Sequence, residues 1–312
     1  MKLSDVLVVL NIGLLAATLR MATPLIFAAI GAVVTERSGV MNIGIEGMML
    51  FGAFAAVAGS YYTGSPWLGV LAAMIVGGLL GLLHAWASIT LRADQIVSGV
   101  AINLLAVGVP NFLLNVLWHQ PGASPLVNGI PLLRVPLLAD LPVVGPFFAS
   151  QDLLAYGAIA LVVVVHFVMF RTPLGVHLRS VGEHPRAADS VGIDVYKMRY
   201  LAVVFSGIMA GLGGAYLSVA ELSVFTKEMT QGRGFIAMGA MIFGKWTPLG
   251  GFGACLLFGF ADALQLALQT SGVPIPPDLL MSIPYILTLV ALAGFVGRAI
   301  APAAVGKPYV KG

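Results

Sequence analysis

Residues 47–91 read GMMLFGAFAAVAGSYYTGSPWLGVLAAMIVGGLLGLLHAWASITL, 45 residues between Glu46 and Arg92 without an Asp, Glu, Lys or Arg. That is enough apolar length for two bilayer crossings at roughly 20 residues each. The rest of the chain agrees. Mean hydropathy is +0.99, 59% of the residues are hydrophobic and 9% are charged, so no soluble domain large enough for chemistry in water is expected. The 312 residues supply about seven to nine spans, read as a single membrane domain over 1–312. A formal charge of +3 is too small to argue for nucleic acid. The lone Cys255 excludes an intrachain disulfide and a cysteine metal cluster, and reads as a core residue. The start Met1-Lys2-Leu3-Ser4-Asp5 lacks a small-residue cleavage pattern, so the first helix is expected to be retained.

Apolar runs separated by charges or Pro/Gly clusters place helices at about 6–34, 41–60, 66–90, 95–117, 153–170, 200–220, an interrupted 234–269, and 279–299. Arg20 and Pro24 leave the first segment as one kinked span or two short ones. Orientation follows the positively charged loops. Arg37, Arg92, Arg171, Arg179, Arg186, Lys197, Arg199, Arg298, Lys307 and Lys311 fall on one side, against Arg134, Lys227 and Arg233 on the other. The 171–199 loop and the C-terminal tail are therefore expected in the cytoplasm, provided that 234–269 dips in and returns. The 118–152 loop is expected outside, where its six prolines predict short interfacial pieces. Thirty-eight glycines predict close helix packing, with Gly77-x-x-x-Gly81 and Gly207-x-x-x-Gly211 read as contacts within this subunit, the alternative being a dimer contact.

Several chemistries have no residues to stand on. Gly239-Ala240-Met241-Ile242-Phe243-Gly244-Lys245 matches the first seven positions of a phosphate loop, but Trp246 replaces the Ser/Thr that would hold magnesium, and the surroundings are apolar. The five histidines do not cluster at metal-ligand spacing, so no metal site is expected. No catalytic residue is expected either. Movement against a gradient would then draw on ions or on a partner that binds ATP.

The loop from Arg171 to Asp194 carries mixed charge. Pro185 can open a helix of about two turns, Ala187-Ala188 gives it a compact face, and Gly192 can end it. So short a helix needs a partner. Acids among the basic residues favour a docking surface over a lipid-headgroup patch, the bland reading being a solvated loop that carries topogenic charge.

Arg179-Ser180-Val181-Gly182-Glu183-His184-Pro185-Arg186-Ala187-Ala188-Asp189, with Val191-Gly192-Ile193, resembles the cytoplasmic coupling segment of permease subunits of ATP-binding-cassette importers in the branched-chain amino acid/ribose/nucleoside superfamily. Ser38-Gly39-Val40-Met41-Asn42-Ile43-Gly44-Ile45-Glu46-Gly47 is similar to the second-segment signature of the simple-sugar and nucleoside branch. The resemblance covers about 20–300. It implies that Gly182, Glu183, Pro185, Arg186, Ala187, Ala188, Asp189 and Gly192 form a helix, about 183–192, seated in an ATPase subunit. It further implies a second homologous permease, with a heterodimer expected, and a substrate-binding lipoprotein. ATP and magnesium would be held by the ATPase, and this chain would carry no cofactor.

Intramembrane polar groups are costly unless paired or lining water. Asn42 and Glu46 stand one helical turn apart after a glycine-interrupted start that reads as a broken helix near a pathway. Glu46 can instead pair with Arg37 or a neighbouring helix. Asn103, Asn111 and Asn115 share one helical sector, and Asp262, Gln265 and Gln269 another. They can bond ribose hydroxyls and base edges, with Phe27, Phe112 or Trp86 as a stacking face, or serve as interhelical glue. Asp262 has no evident basic partner. His84 reads as a satisfied core group. Gly244, Pro248, Gly250, Gly251 and Gly253 predict a second break at 244–251.

The expected protein is an all-α polytopic inner-membrane permease with about eight spans and broken helices near 42–47 and 244–251. The resemblance implies that it imports nucleosides. The rivals are a simple-sugar or branched-chain amino acid permease of the same superfamily and an ion-coupled secondary transporter.

Overall fold

The computed structural model describes residues 12–133, 147, 150–271, 276, 279–280, 282, 284, 286, 290 and 299–311. The helices, in chain order, are α1 Ile12–Arg37, α2 Ile45–Thr63, α3 Pro66–Ala85, α4 Gln95–Trp118, α5 Leu153–Arg171, α6 Pro173–Glu183, α7 Pro185–Ser190, α8 Val195–Ala215, α9 Arg233–Phe243 and α10 Pro248–Thr270. π-helical turns extend α3 over Trp86–Thr90 and α8 over Tyr216–Leu222. Among the described residues no strand forms, and only the bridges Ala123 to Thr226 and Leu132 to Asp152 occur.

Local sequence explains most of these boundaries. Asp94, Asp152 and Asp194 accept hydrogen bonds from the first-turn amides of α4, α5 and α8. Thr172 and Thr247 do the same for α6 and α10, each followed by a proline in the first turn. Pro24 sits inside α1, which is one continuous helix of 26 residues.

α1, α3, α4, α5, α8 and α10 are long and apolar enough to cross a membrane. α2 adds a 19-residue helix in the interior. At about 1.5 Å per residue, the 11 residues of α9 reach only about half-way. The interrupted 234–269 segment is thus a short helix and a full one joined by a turn. The last expected span, 279–299, lies outside the described residues except at single positions.

α8 packs against α1, α2 and α3, and α10 against α1. The two small-residue motifs face each other. A Cβ on Gly77 would fall inside the envelope of the Gly207 carbonyl oxygen, and one on Gly207 inside that of Gly77, so α3 and α8 touch backbone to backbone as expected of packing within the subunit. α4, α5 and α10 form the periphery.

Among its described residues the 118–152 loop forms no long regular helix, in line with its prolines. Its described part runs extended against the chain after α8. Ser124, Val127 and Ile130 donate their amides to the carbonyls of Phe225, Ser223 and Val219, and Lys227 donates to Gly122. These partners satisfy a proline-punctuated backbone that cannot bond within a regular helix.

Candidate functional site

The site begins where α1 ends. Residues 38–44 leave the helical path inside the bundle, and lipid offers their backbone nothing. Neighbouring helices supply side chains instead. Gln95 Oε1 accepts from the Met41 amide at 2.7 Å, and His84 Nε2 lies 3.0 Å from the Met41 carbonyl with its Nδ1 3.0 Å from Ser98 Oγ. Asn103 donates to the Ile43 carbonyl at 3.0 Å and accepts from the Gly47 amide at 2.8 Å. His84 is therefore a satisfied core group, as its sequence setting implied.

Asn42 lies in this irregular stretch, before the helix, so it is not a helical turn from Glu46. It is buried, and its Nδ2 donates to Ser206 Oγ at 3.1 Å. Its place is the contact with α8.

Glu46, in the first turn of α2, does not pair with Arg37, whose carboxylate neighbour is Glu183; its partners are at the neighbouring helix α9. Oε1 accepts from Thr230 Oγ1 at 2.6 Å and from the Gly232 amide at 2.9 Å. Oε2 accepts from the Gly234 amide at 2.7 Å. The carboxylate thus caps α9, whose own N-cap, Gly232, has no side-chain bond. Orphan amides and the positive end of a helix are a natural seat for an anion. A Cβ at Gly234 would collide with Glu46, so the close approach requires glycine there.

Two grooves flank this junction. One, of about 550 Å³, is lined by Glu46, Asn103, Thr230, Gln231 and Phe235 among others. The second, of about 640 Å³, includes Gln231, Arg233, Phe235, Asp262, Gln265 and Gln269. Both fall in the range of roughly 300–1,000 Å³ typical of small-molecule sites. Phe235 is the aromatic ring common to them, whereas Phe27 is buried elsewhere and Phe112 and Trp86 stand exposed outside both grooves.

The α4 stripe divides. Asn103 joins Glu46, but Asn111 and Asn115 bond to the carbonyls of Val107 and Asn111 in their own helix and line neither groove. The α10 stripe stays together. Asp262 also has a cation across its groove: Arg233, counted in the sequence as an outer-loop charge, stands at the start of α9 and attracts it. Thr230, Gly232 and Gly234 were missed, and Thr-x-Gly-x-Gly ahead of an apolar helix without a capping residue is the pattern that marks them.

At the end of the bundle where α1 stops, the 171–199 segment folds as two helices. Pro185 opens α7 and Gly192, at φ +87°, ends it. Glu183 belongs to the end of α6 instead, with its carboxylate 4.0 Å from Arg37 Nη1. The Ala187-Ala188 face is also revised, since Ala187 is exposed while Ala188 is 3% exposed and packs inward.

The second break comes at Gly244–Thr247 rather than across 244–251, because Thr247 and Pro248 start α10 and absorb the later glycines into it. It lies at this same end. Trp246 Nε1 donates to Glu36 Oε2 at 2.6 Å, and Arg37 donates to the carbonyls of Trp246 and Lys245 at 2.8 and 3.3 Å. Residues 239–243 of the apparent phosphate loop are helical, in α9.

A family model described as branched-chain amino acid transport system, permease component, matches residues 14–292. The guanosine ABC transporter permease protein NupQ of Bacillus subtilis is 46% identical over 99% of each chain. The nucleoside ABC transporter permease protein NupC of Lactococcus lactis is 43% identical over 93% of this chain and 94% of its own. The putative glucose ABC transporter permease protein TsgC13 of Haloferax volcanii is 38% identical over 85% of this chain and 80% of its own. No solved structure matches.

Proposed function

The chain belongs to the permease components of the branched-chain amino acid transport system family, and from that premise we propose that it is the membrane subunit of an ATP-driven importer of nucleosides. The observation that carries the substrate is the 46% identity to a guanosine permease over 99% of both chains. A sugar is the second reading, favoured by the 38% identity to a glucose permease.

In this account the chain catalyses nothing and holds no cofactor. ATP and magnesium belong to an ATPase subunit that docks on α7 from the cytoplasm, a second permease completes the membrane part, and an outer lipoprotein delivers substrate. The α6–α7 end and the tail 299–311 face the cytoplasm in this reading, which the placement of lysines and arginines supports.

The substrate passes the start of α9. Glu46 and Asn103 on one side, and Asp262, Gln265 and Gln269 on the other, offer partners for ribose hydroxyls and base edges, and Phe235 offers a ring for stacking. Arg37 touches both the α9–α10 turn and Glu183, so movement of α6 and α7 reaches α9 through one side chain. ATPase closure then shifts the population between outward- and inward-open states.

Measuring uptake of labelled guanosine, glucose and leucine in cells with and without this gene tests the reading. Guanosine uptake alone should depend on the gene. Dependence of glucose or leucine uptake alone would replace the nucleoside assignment.

A further inference from the structure

Residues 301–311 pack on the α6–α7 segment. The Ala304 amide donates to the Gly182 carbonyl at 2.9 Å, and the Ala303 amide to Glu183 Oε2 at 3.2 Å. Lys311 Nζ lies 3.5 Å from Asp189 Oδ1. Arg199, only 1% exposed, donates from Nη1 to the Lys307 carbonyl at 3.1 Å, and its Nε and Nη2 have no partner among the described residues. The Tyr196 hydroxyl donates to the Tyr309 carbonyl at 3.4 Å, with the two rings 5.6 Å apart. Ala304 and Tyr309 are buried by these contacts. A stretch of chain without a helix tends to stay unordered unless tied down; residues 301–311 are tied at five points.

Between tail and α7 runs a groove of about 580 Å³, with Arg186 and Ala187 on one wall and Lys307 and Val310 on the other. Its charge is one-sided. Glu183 is answered by Arg37 and the Ala303 amide, and Asp189 by Lys311, whereas neither Arg186 nor Lys307 makes an ion pair among the described residues. Val310, 47% exposed, adds apolar surface facing outward.

We propose that residues 301–311 form the second wall of the surface on which the ATPase subunit docks, and that the ATPase segment seated between tail and α7 is acidic. This rests on the importer reading. The argument is continuity with the exposed Ala187 face of α7 and complementarity to Arg186 and Lys307, neither of which has a carboxylate partner among the described residues, while Lys307 Nζ spends one N–H on the Ala303 carbonyl at 2.9 Å. Arg199 is the positioning residue: its buried guanidinium fixes the Lys307 backbone, and so the wall, against α8.

The test places a photo-crosslinking residue at Val310 or at Ala187 in the assembled transporter. Adducts with the ATPase from both positions are expected. Arg186→Glu with Lys307→Glu should lower the Val310 adduct about tenfold, and raised salt should lower it in the parent protein. An ATPase adduct from Ala187 alone, with Val310 capturing only lipid or the second permease, overturns the tail's role and leaves the importer reading standing. No ATPase adduct from either position overturns the importer reading itself. A Val310 adduct unchanged by charge reversal removes the acidic partner. Both substituted cations are outside the buried core, so loss of folding does not decide the outcome.

Discussion

Glu46 Oε2 accepts the Gly234 amide at 2.7 Å, which makes a carboxylate on α2 the N-terminal cap of α9. Among the described residues no cation pairs with it. The helix end itself answers the charge. Glu46→Gln keeps one acceptor oxygen and turns an amide group towards N–H donors. Hydrogen bonds to charged groups contribute about 1.5–3 kcal/mol, so the Gly232 and Gly234 amides should exchange with solvent about ten- to a hundredfold faster, with the chain still inserted. Nucleoside uptake should fall at least tenfold. Hydrogen exchange by mass spectrometry, paired with uptake, checks both.

Glycines in the spans are not equivalent. Gly77 meets the Gly207 backbone, while a Cβ at Gly157 on α5 would meet nothing within 4 Å. Gly77→Ala should destabilise the purified protein by about 1–3 kcal/mol through overpacking. Gly157→Ala should be neutral or stabilising by up to about 1 kcal/mol. Melting temperatures in detergent compare them directly.

The two alanines of α7 should separate docking from folding. Ala187→Glu should leave expression and melting unchanged and abolish co-purification of the ATPase. Ala188→Arg buries an unpaired cation and should lower the melting temperature itself. Equal behaviour of the two variants in both assays would remove the division into an outer and an inner face.

Arg37→Ala removes the contact shared by the α9–α10 turn and Glu183. ATPase co-purification should persist while uptake drops at least tenfold and ATP hydrolysis no longer responds to substrate. Full coupling in that variant would show that the route from α7 to α9 does not pass through Arg37.

How legible this was in the sequence follows from the range of each signal. Span length, the Pro185 start and the Gly192 end of α7, and the facing glycine motifs are local patterns, and the structure repeats them. The partner of Glu46 lies 188 residues away, beyond any periodicity, and glycines that expose amides look like loop residues until a carboxylate meets them. Asn111 and Asn115 shared a helical sector with Asn103, but a sector fixes a face and not its neighbour, and most of α4 has none in this chain. Ala188 is buried and Ala187 exposed because consecutive helical residues point about 100° apart, and the six-residue α7 turns the second of them to the bundle.

Topology is measured at Leu126, which is 79% exposed. A cysteine at Leu126 should react with an impermeant reagent from outside intact spheroplasts, and one at Val191 only after the membrane is opened. The reverse pattern would invert the permease.

The most direct measurement loads vesicles that contain this chain, its ATPase, the second permease and the binding lipoprotein, and follows labelled nucleoside with and without ATP. The account predicts accumulation that requires ATP on the α7 side, survives collapse of ion gradients and is absent for glucose. Uptake driven by an ion gradient without ATP, or ATP-driven accumulation of glucose but not nucleoside, would contradict it.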